Sequence, residues 1–426
     1  MYLLYIFIVF ILLAMLGMPL AIAICISSMV FLYFEVGLPL GVMSQMIFSG
    51  VDSFPLMAIP FFILAGALMN QGGLTQRLID FSNSLVGHYR GSLGQIAVLA
   101  NMFFGAISGS AVAGASAMGS VLIPSMVKEK YGRPFAAAII AVSSSLAPII
   151  PPSISMIMFG IVTGTSIEKM FVGGVVPGVL FGVFIMLINR RVAIKRNLPR
   201  ENKTTCKEKI QSFNKVILAL LLPIIVFGGI LTGVFTVIES AAVAALYALV
   251  VGLFSSKKIR SFAGFKETFG GSVVTIAVVM FLIASSKLYS YLLAINQVPQ
   301  MVSELIFSIS SEAWVLLLLI NIVLLVVGMF LETNAAIVIF VPILYPIITE
   351  VGIDPVHFGV VLVFNLALGL LTPPFGLCVS MTAKMANCSL KDCIKESLPY
   401  TCAGIFVLLL ITYIPGLVTW LPNVVL

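Results

Sequence analysis

Four prolines in the first half of the chain recur in the second half at one constant spacing, which we call the repeat offset. Two of the four form a Pro-Pro pair that recurs intact. The matched positions are Pro124 and Pro346, Pro151 and Pro373, Pro152 and Pro374, and Pro177 and Pro399. One such match would mean little among 21 prolines, but four at the same offset predict a duplicated unit. We therefore expect a first repeat over residues 1–210 and a second over residues 211–426.

The composition places this duplicated chain in a membrane. Hydrophobic residues make up 61% of it, charged residues 9%, and the mean hydropathy is +1.18. No water-soluble fold could bury that much apolar surface. The net charge of +7 is therefore interpreted as membrane topology, so we expect a lipid bilayer and no nucleic acid as the partner. The six cysteines have no spacing typical of a metal site or a disulfide framework.

The placement of charge predicts that the second repeat is inverted. Basic clusters at residues 190–209 and 257–260 mark cytoplasmic loops. Basic residues flank a predicted re-entrant hairpin at about 92–128, whereas acidic residues flank its counterpart at about 313–349. Each repeat then holds about five crossings and one hairpin, and an odd number of crossings turns the second copy over. The expected fold is an all-α polytopic membrane protein with two inverted repeats.

The remaining segments are assigned from their apolar runs. Two spans are predicted within residues 1–36. A third is predicted at residues 53–69, where Asp52 and Ser53 would cap the helix. The amphipathic stretch at 74–86 is expected to lie along the interface. In the second repeat a span is predicted at 268–286, with Lys287 near its end and a polar arm continuing to Ser311.

One predicted spanning helix in each repeat is broken, at about 135–159 and about 357–381. The interruptions contain Pro148, Pro151, Pro152 and Ser153 in the first copy, and Thr372, Pro373, Pro374 and Gly376 in the second. A Pro-Pro pair removes two backbone donors, and such a break survives in hydrocarbon only within protein or beside a wet cavity. Freed carbonyls can coordinate a cation, and a new helix N-terminus attracts an anion.

Polar residues at the hairpin tips complete the predicted site. The tips hold Ser108, Gly109 and Ser110 in the first repeat, and Glu332, Thr333 and Asn334 in the second. Neutral oxygens suit sodium, so the predicted metal ligands are nearby carbonyls and six side chains: Ser108, Ser110, Ser153, Thr333, Asn334 and Thr372. Two alternatives stay open. The prolines could be packing kinks, and Glu332 could be either a functional intramembrane acid or a helix cap in a solvated cleft.

Several other classes of protein fit the sequence less well. A primary pump would need a nucleotide-binding GxxxxGK[ST] loop, which is absent. An intramembrane enzyme lacks support because there is no HExxH and no pair of aspartates in a broken helix, so we expect no enzymatic activity and no cofactor. A passive channel would line a continuous pore and would not need paired inverted breaks. Glu239 is assigned to a capping box with Thr236.

The motifs resemble one family along nearly the whole chain. They include Ser53-Phe54-Pro55-Leu56-Met57, the Ser108 hairpin tip, Ile150-Pro151-Pro152-Ser153, Val176-Pro177-Gly178, Glu239-Ser240-Ala241-Ala242 and Leu371-Thr372-Pro373-Pro374-Phe375-Gly376. In this order they resemble the large membrane subunit of the tripartite ATP-independent periplasmic (TRAP) transporters, the DctM-like family. Ser240 departs from the alanine more usual in that family.

The resemblance implies a sodium-coupled importer of an organic acid, such as a C4-dicarboxylate or sialic acid, in the bacterial inner membrane. It implies an elevator mechanism, a separate small four-helix membrane subunit and a periplasmic substrate-binding protein. By the same similarity, Ser108, Ser110, Pro151 and Ser153 would line one sodium site, and Glu332, Thr333, Asn334, Thr372 and Pro373 its inverted counterpart. The substrate carboxylate would bind between the tips. A standalone sodium–carboxylate symporter is the alternative.

Overall fold

The computed structural model describes residues 9–10, 12–13, 16–200, 203–310 and 312–426, and within them it contains helices and no strands. The first span predicted within residues 1–36 falls mainly outside this set. The helices of the first half are α1 Leu20–Phe34, α2 Leu40–Val51, α3 Ala58–Gln71, α4 Leu74–Val86, α5 Ser92–Ser108, α6 Ala111–Lys128, α7 Arg133–Ser144, α8 Ile154–Thr163 and α9 Ile167–Lys195.

The second half continues with further helices and one short helical turn, α12. They are α10 Cys206–Leu231, α11 Val237–Ser255, α12 Lys257–Arg260, α13 Phe262–Ile295, α14 Val298–Ile309, α15 Ala313–Phe330, α16 Thr333–Glu350, α17 Pro355–Gly369, α18 Leu377–Met385, α19 Leu390–Tyr413 and α20 Gly416–Val425. Within the described residues, 9 helices are long and apolar enough to cross a membrane. The prediction of an all-α, multi-pass membrane protein is confirmed.

Several helices of the second half begin at the positions of first-half helices shifted by the repeat offset. Helix α6 covers Ala111–Lys128 and α16 covers Thr333–Glu350, so both ends of α16 are the ends of α6 shifted by the repeat offset. Helices α7 and α17 begin at the same offset, at Arg133 and Pro355. The matched prolines occupy equivalent places, because Pro124 and Pro346 lie inside the second hairpin arms and Pro177 and Pro399 inside α9 and α19.

Each hairpin crosses its broken helix where small residues let the backbones touch. A Cβ added at Gly105 on α5 would lie 2.7 Å from the Cα of Ala147, just after α7. A Cβ added at Gly369, at the end of α17, would lie 2.4 Å from the Cα of Gly328 on α15. Ala147 and Gly369 are separated by the repeat offset, so the duplicated chain repeats this close crossing. Small residues at such crossings are typical of helix packing in membranes.

The two halves also pack against each other. Helix α8 packs against α16 of the other half, and α18 packs against α6. Buried aromatic rings join the halves behind these contacts, with ring centroids 5.4 Å apart for Phe181 and Phe364 and 6.1 Å apart for Phe159 and Phe358. The hairpins and broken helices of both repeats therefore form one packed core.

Two local expectations are corrected. The span predicted at 268–286 is too short, because α13 continues through Lys287 to Ile295 with no proline to stop it, and α14 forms within the predicted polar arm. Ser53 precedes a 3-10 turn at Phe54–Met57, but its side chain makes no capping hydrogen bond. The amphipathic helix α4 packs on α5 and α10 and buries eight side chains, and its position along the membrane interface stays a prediction. The capping box of Thr236 and Glu239 is confirmed.

Candidate functional site

The first hairpin turns at Ser108, Gly109 and Ser110. Helix α5 ends at Ser108, and Gly109 adopts a left-handed conformation with φ of 60°, which glycine reaches without a steric penalty. Ser110 is the N-cap of α6, and its hydroxyl accepts a hydrogen bond from the Ala113 amide at 3.4 Å. Ser108 is buried, and its hydroxyl faces the Ser110 amide at 3.5 Å. The tip thus holds two serine oxygens beside a helix N-terminus.

The second hairpin turns at Glu332, which is the N-cap of α16. One carboxylate oxygen accepts a hydrogen bond from the Asn334 amide at 2.9 Å, and the other accepts one from Asn334 Nδ2 at 3.0 Å. A negative charge is favourable at a helix N-terminus, so the cap explains why an acid is tolerated at this depth. Glu332 is therefore a helix cap, and its role as a functional acid stays a prediction. Thr333 beside it is buried, and its hydroxyl has no partner among the described residues.

The first break separates α7 from α8, and its three prolines, Pro148, Pro151 and Pro152, are buried. Ser153 is the N-cap of α8: its hydroxyl accepts from the Met156 amide at 3.3 Å and donates to the Pro148 carbonyl. Pro151 and Pro152 are joined by a cis peptide bond. Ser153 therefore fixes the break by bonding to both of its sides.

The second break separates α17 from α18 and is partly open. Thr372 donates to the Leu368 carbonyl at 2.9 Å, and Gly376, with φ of 41°, precedes α18. Pro373 and Pro374 are also joined by a cis peptide bond. Pro374 is exposed, and Phe375 next to it is 58% exposed. Because interrupted backbone does not face lipid, we expect this exposed break to face either water or a partner protein.

The structure brings three of the four predicted segments into direct contact. A Cβ added at Gly109 would lie 3.0 Å from both the Ile154 amide nitrogen and the Pro152 carbonyl oxygen, so the first tip rests on the first break. Ser155, at the start of α8, donates to Asn334 Oδ1 of the second tip at 2.9 Å. The second break approaches the second hairpin through Phe375, whose ring centroid is 5.2 Å from that of Phe330. The hydrogen bond of Thr372 stays within its own helix end.

Sequence reasoning missed a set of buried amides behind these segments. Asn101 on α5 donates to Ser143 Oγ on α7 at 2.7 Å. In the other half, Asn365 on α17 donates to both the carbonyl and Oδ1 of Asn321 on α15, at 3.0 and 2.8 Å. Ser143 and Asn365 are separated by the repeat offset, which would have revealed that they are equivalent.

Several buried oxygens in this region have no hydrogen-bond donor. They are Asn101 Oδ1, Asn365 Oδ1 and Thr333 Oγ1, each without a partner among the described residues. Leaving such an oxygen unsatisfied costs about 1–3 kcal/mol, so each is an available acceptor for water or a cation. The described residues contain no cluster of three or more His, Cys, Asp or Glu side chains that could hold a transition metal. The donor set is neutral oxygen, which fits a hard monovalent cation such as sodium.

A multi-pass helical membrane protein with paired hairpins and paired broken helices is the class that this fold defines. The family described as "Tripartite ATP-independent periplasmic transporter, DctM component" matches residues 7–417. The chain belongs to this family, as its motifs predicted.

Two relatives are similar over most of their length. The chain is 41% identical over 377 residues to the C4-dicarboxylate TRAP transporter large permease protein DctM of Pseudomonas aeruginosa, with 88% of each chain covered. It is 36% identical over 410 residues to the sialic acid TRAP transporter large permease protein SiaM of Vibrio cholerae, with 96% of each covered. Both are named as transporter subunits, which agrees with the prediction that the chain is not an enzyme.

A solved structure shares the fold at low sequence identity. The crystal structure of the YdaH transporter of Alcanivorax borkumensis matches with a TM-score of 0.61 and 15% identity, covering 88% of each chain. At this identity the similarity shows the fold alone.

Proposed function

We propose that this chain is the large membrane subunit of a sodium-coupled, binding-protein-dependent secondary transporter that imports an organic acid across the bacterial inner membrane. The observation that carries the proposal is the contact of the first break with both hairpin tips, through Gly109 on one side and the Ser155–Asn334 hydrogen bond on the other. Discontinuous helices meeting between repeats are where secondary transporters bind substrate and coupling ion.

Sodium coupling is supported by the chemistry of the site. The tips and breaks present serine and threonine hydroxyls, an asparagine amide and free carbonyls, and Glu332 is the one charged side chain among the predicted site residues. Sodium would be held by oxygens from Ser108, Ser110 and Ser153 in one repeat, and by oxygens from Thr333, Asn334 and Thr372 in the other. Bound sodium would supply positive charge beside the substrate carboxylate.

Carboxylate binding is supported by the helix N-termini at the contact. The N-terminus of α16 lies there, but the Glu332 carboxylate already compensates it. Helices α6 and α8 begin there with the neutral caps Ser110 and Ser153. Each N-terminus carries roughly half a positive charge and unpaired amides. The named substrates of the two relatives, a C4-dicarboxylate and sialic acid, are both carboxylates. We therefore propose an organic acid as substrate.

Alternating access is supported by the unequal burial of the two breaks. Pro151 and Pro152 are buried, whereas Pro374 is exposed. A transporter open to one side only would have this asymmetry, and the opposite state would exchange the two environments. In the elevator form of this mechanism, the hairpins and broken helices would move together as the core that they form.

The partners follow from family membership. We propose that a separate small four-helix membrane subunit packs on this chain and that a periplasmic binding protein delivers the acid. The alternatives are a standalone sodium–carboxylate symporter and, less favoured, a passive channel.

Reconstitution in proteoliposomes tests the proposal. The chain, its small subunit and its loaded binding protein should accumulate the organic acid against a gradient when sodium is higher outside, and potassium should not replace sodium. Uptake without the binding protein would instead favour the symporter. Downhill flux that does not depend on sodium would favour the channel and contradict the proposal.

A further inference from the structure

A cavity lies between the core and the helices that surround it. Its volume is about 410 Å³, within the range of about 300–1,000 Å³ that is typical of small-molecule sites. It is lined by the end of α2 with the following turn, the end of α8, residues 283–290 of α13 and residues 341–346 of α16. None of the predicted site residues lines it.

The cavity has a single charged side chain, Lys287 of α13, among its described lining residues. The stem of Lys287 is held against α2, where a Cβ added at Gly50 would lie 3.0 Å from the lysine Cβ. No acid lines the cavity, and the ion pairs that the described residues form, Arg196–Glu396 and Lys258–Glu267, lie elsewhere. A lysine inside a spanning helix is costly and normally serves a function.

Three hydroxyls of the lining are available beside this lysine. Ser49, Thr163 and Ser286 already donate to main-chain carbonyls. In contrast, the hydroxyls of Ser53, Ser290 and Tyr345 make no hydrogen bond with the described residues. One ammonium and three free hydroxyls are the donor set that a carboxylate requires.

The cavity lies on the face opposite the basic loops. Helix α9 begins just after Thr163 of the cavity and runs 29 residues, about 43 Å, to its basic end at Lys195. Ile161 in the lining is seven residues from Ile154 at the first break, which is about 10 Å of helix rise. The cavity is therefore placed between the outer face and the contact of tips and break.

We propose that this cavity is a first binding site for the substrate carboxylate, which Lys287 holds before the acid moves on to the hairpin tips. The site rests on the proposed function for its role in uptake, but its affinity for a carboxylate is a separate property. Lys287 attracts the anion, and Ser53, Ser290 and Tyr345 donate to its oxygens.

Protection of a cysteine placed in the cavity tests this site without transport. Ser49→Cys puts a thiol in the lining without removing a free donor, in a background where the exposed Cys206 and Cys402 are replaced by serine. A membrane-impermeant maleimide is added from the outer face, with succinate or sialic acid as the probe and neutral succinamide as the comparison. We expect the acids to slow labelling and succinamide to have no effect.

Substitutions of Lys287 test whether this lysine binds the acid in the cavity. In Lys287→Gln, the acid concentration that halves labelling of the cysteine should rise roughly tenfold, because a charged hydrogen bond to the acid is lost. Lys287→Arg keeps the charge and should restore protection of the cysteine. Lys266→Gln makes the same charge change at the other end of α13 and should leave protection unchanged. The proposal would be overturned if the acids protected the cysteine equally well in Lys287→Gln and in the protein that keeps Lys287, or if neither acid protected it.

One further comparison separates this site from the hairpin tips. Ser110→Ala should reduce sodium-driven uptake and leave protection in the cavity intact. If Ser110→Ala also abolished protection, the cavity would not be a separate site and the inference would be wrong. If the reconstituted protein moved no organic acid but protection still depended on Lys287, the proposed function would fail and the cavity site would stand.

Discussion

The hydroxyl of Ser155 donates a hydrogen bond of 2.9 Å to Oδ1 of Asn334, which joins the broken helix of one repeat to the hairpin tip of the other. Asn334 is itself held by the Glu332 carboxylate. A chain of three side chains therefore links the two copies at the proposed site, and the order of the second tip depends on the first break.

Ser155→Ala should weaken this link. The loss of one hydrogen bond between partly buried groups is expected to lower the free energy of unfolding by about 1 kcal/mol and to raise the sodium concentration for half-maximal uptake. Denaturant unfolding in detergent and sodium titration of uptake measure the two effects. The control is Ser125→Ala, whose hydroxyl donates to Val121 within its own helix. If both variants had the same sodium dependence, the link would have no role in ion binding.

Ser110→Ala and Thr372→Ala each remove one proposed sodium ligand. The half-saturating sodium concentration should rise about tenfold in each, as is typical when a metal site loses a supporting group. Binding-protein docking should change less than sodium activation. Thr275→Ala is the matched control for Thr372, because both hydroxyls donate to the carbonyl four residues earlier. Unchanged sodium activation in both site variants would show that the ligand assignment is wrong.

Gly109→Ala should disrupt the contact of the first tip with the first break. The substitution costs about 1–2 kcal/mol in a left-handed conformation, and the new methyl would also press on Pro152 and Ile154. Gly164→Ala is the control, since Gly164 has φ of 74° at the end of α8 and nothing within 4 Å of its added Cβ. Transport should fall much further in the Gly109 variant. A similar loss in both would assign the effect to backbone strain alone.

The buried amides Asn321 and Asn365 should be coupled. Each alanine variant should lose about 1–3 kcal/mol of unfolding free energy, because each leaves a buried polar partner unsatisfied. The double variant should lose less than the sum of the two by at least about 0.5 kcal/mol. Denaturant unfolding of the four proteins completes the cycle. Strict additivity would mean that the 2.8 Å contact between the two side chains contributes nothing, since the main-chain carbonyl of residue 321 is kept in Asn321→Ala.

The sequence predicted the parts of the fold that depend on backbone chemistry. The hairpins expected at about 92–128 and 313–349 correspond to α5 with α6 and α15 with α16, because Gly109 ends α5 while Ser110 and Glu332 cap the helices that follow each turn. The broken helices were placed by their Pro-Pro pairs, since two adjacent prolines remove two backbone donors at one point, whereas single prolines such as Pro124 and Pro177 are accommodated inside helices.

What the sequence did not predict depends on direction and on distant neighbours. Asn101 and Asn365 stand in apolar runs, and nothing local shows that each faces a partner on another helix. Ser155 bonds to a residue 179 positions away, which no periodic pattern reveals. Lys287 was expected near a span end, whereas α13 continues beyond it and places it in a cavity.

The glycine crossings have a mechanical consequence. Where Gly328 and Gly369 bring two backbones together, no flexible side chain separates them, and the same is true of Gly105 and Ala147. Sliding at such a contact would force main-chain atoms to collide, so each first hairpin arm and its broken helix form a stiff unit. If the chain transports as proposed, bending should be confined to the connecting turns, and those turns, not the crossings, would be the hinges.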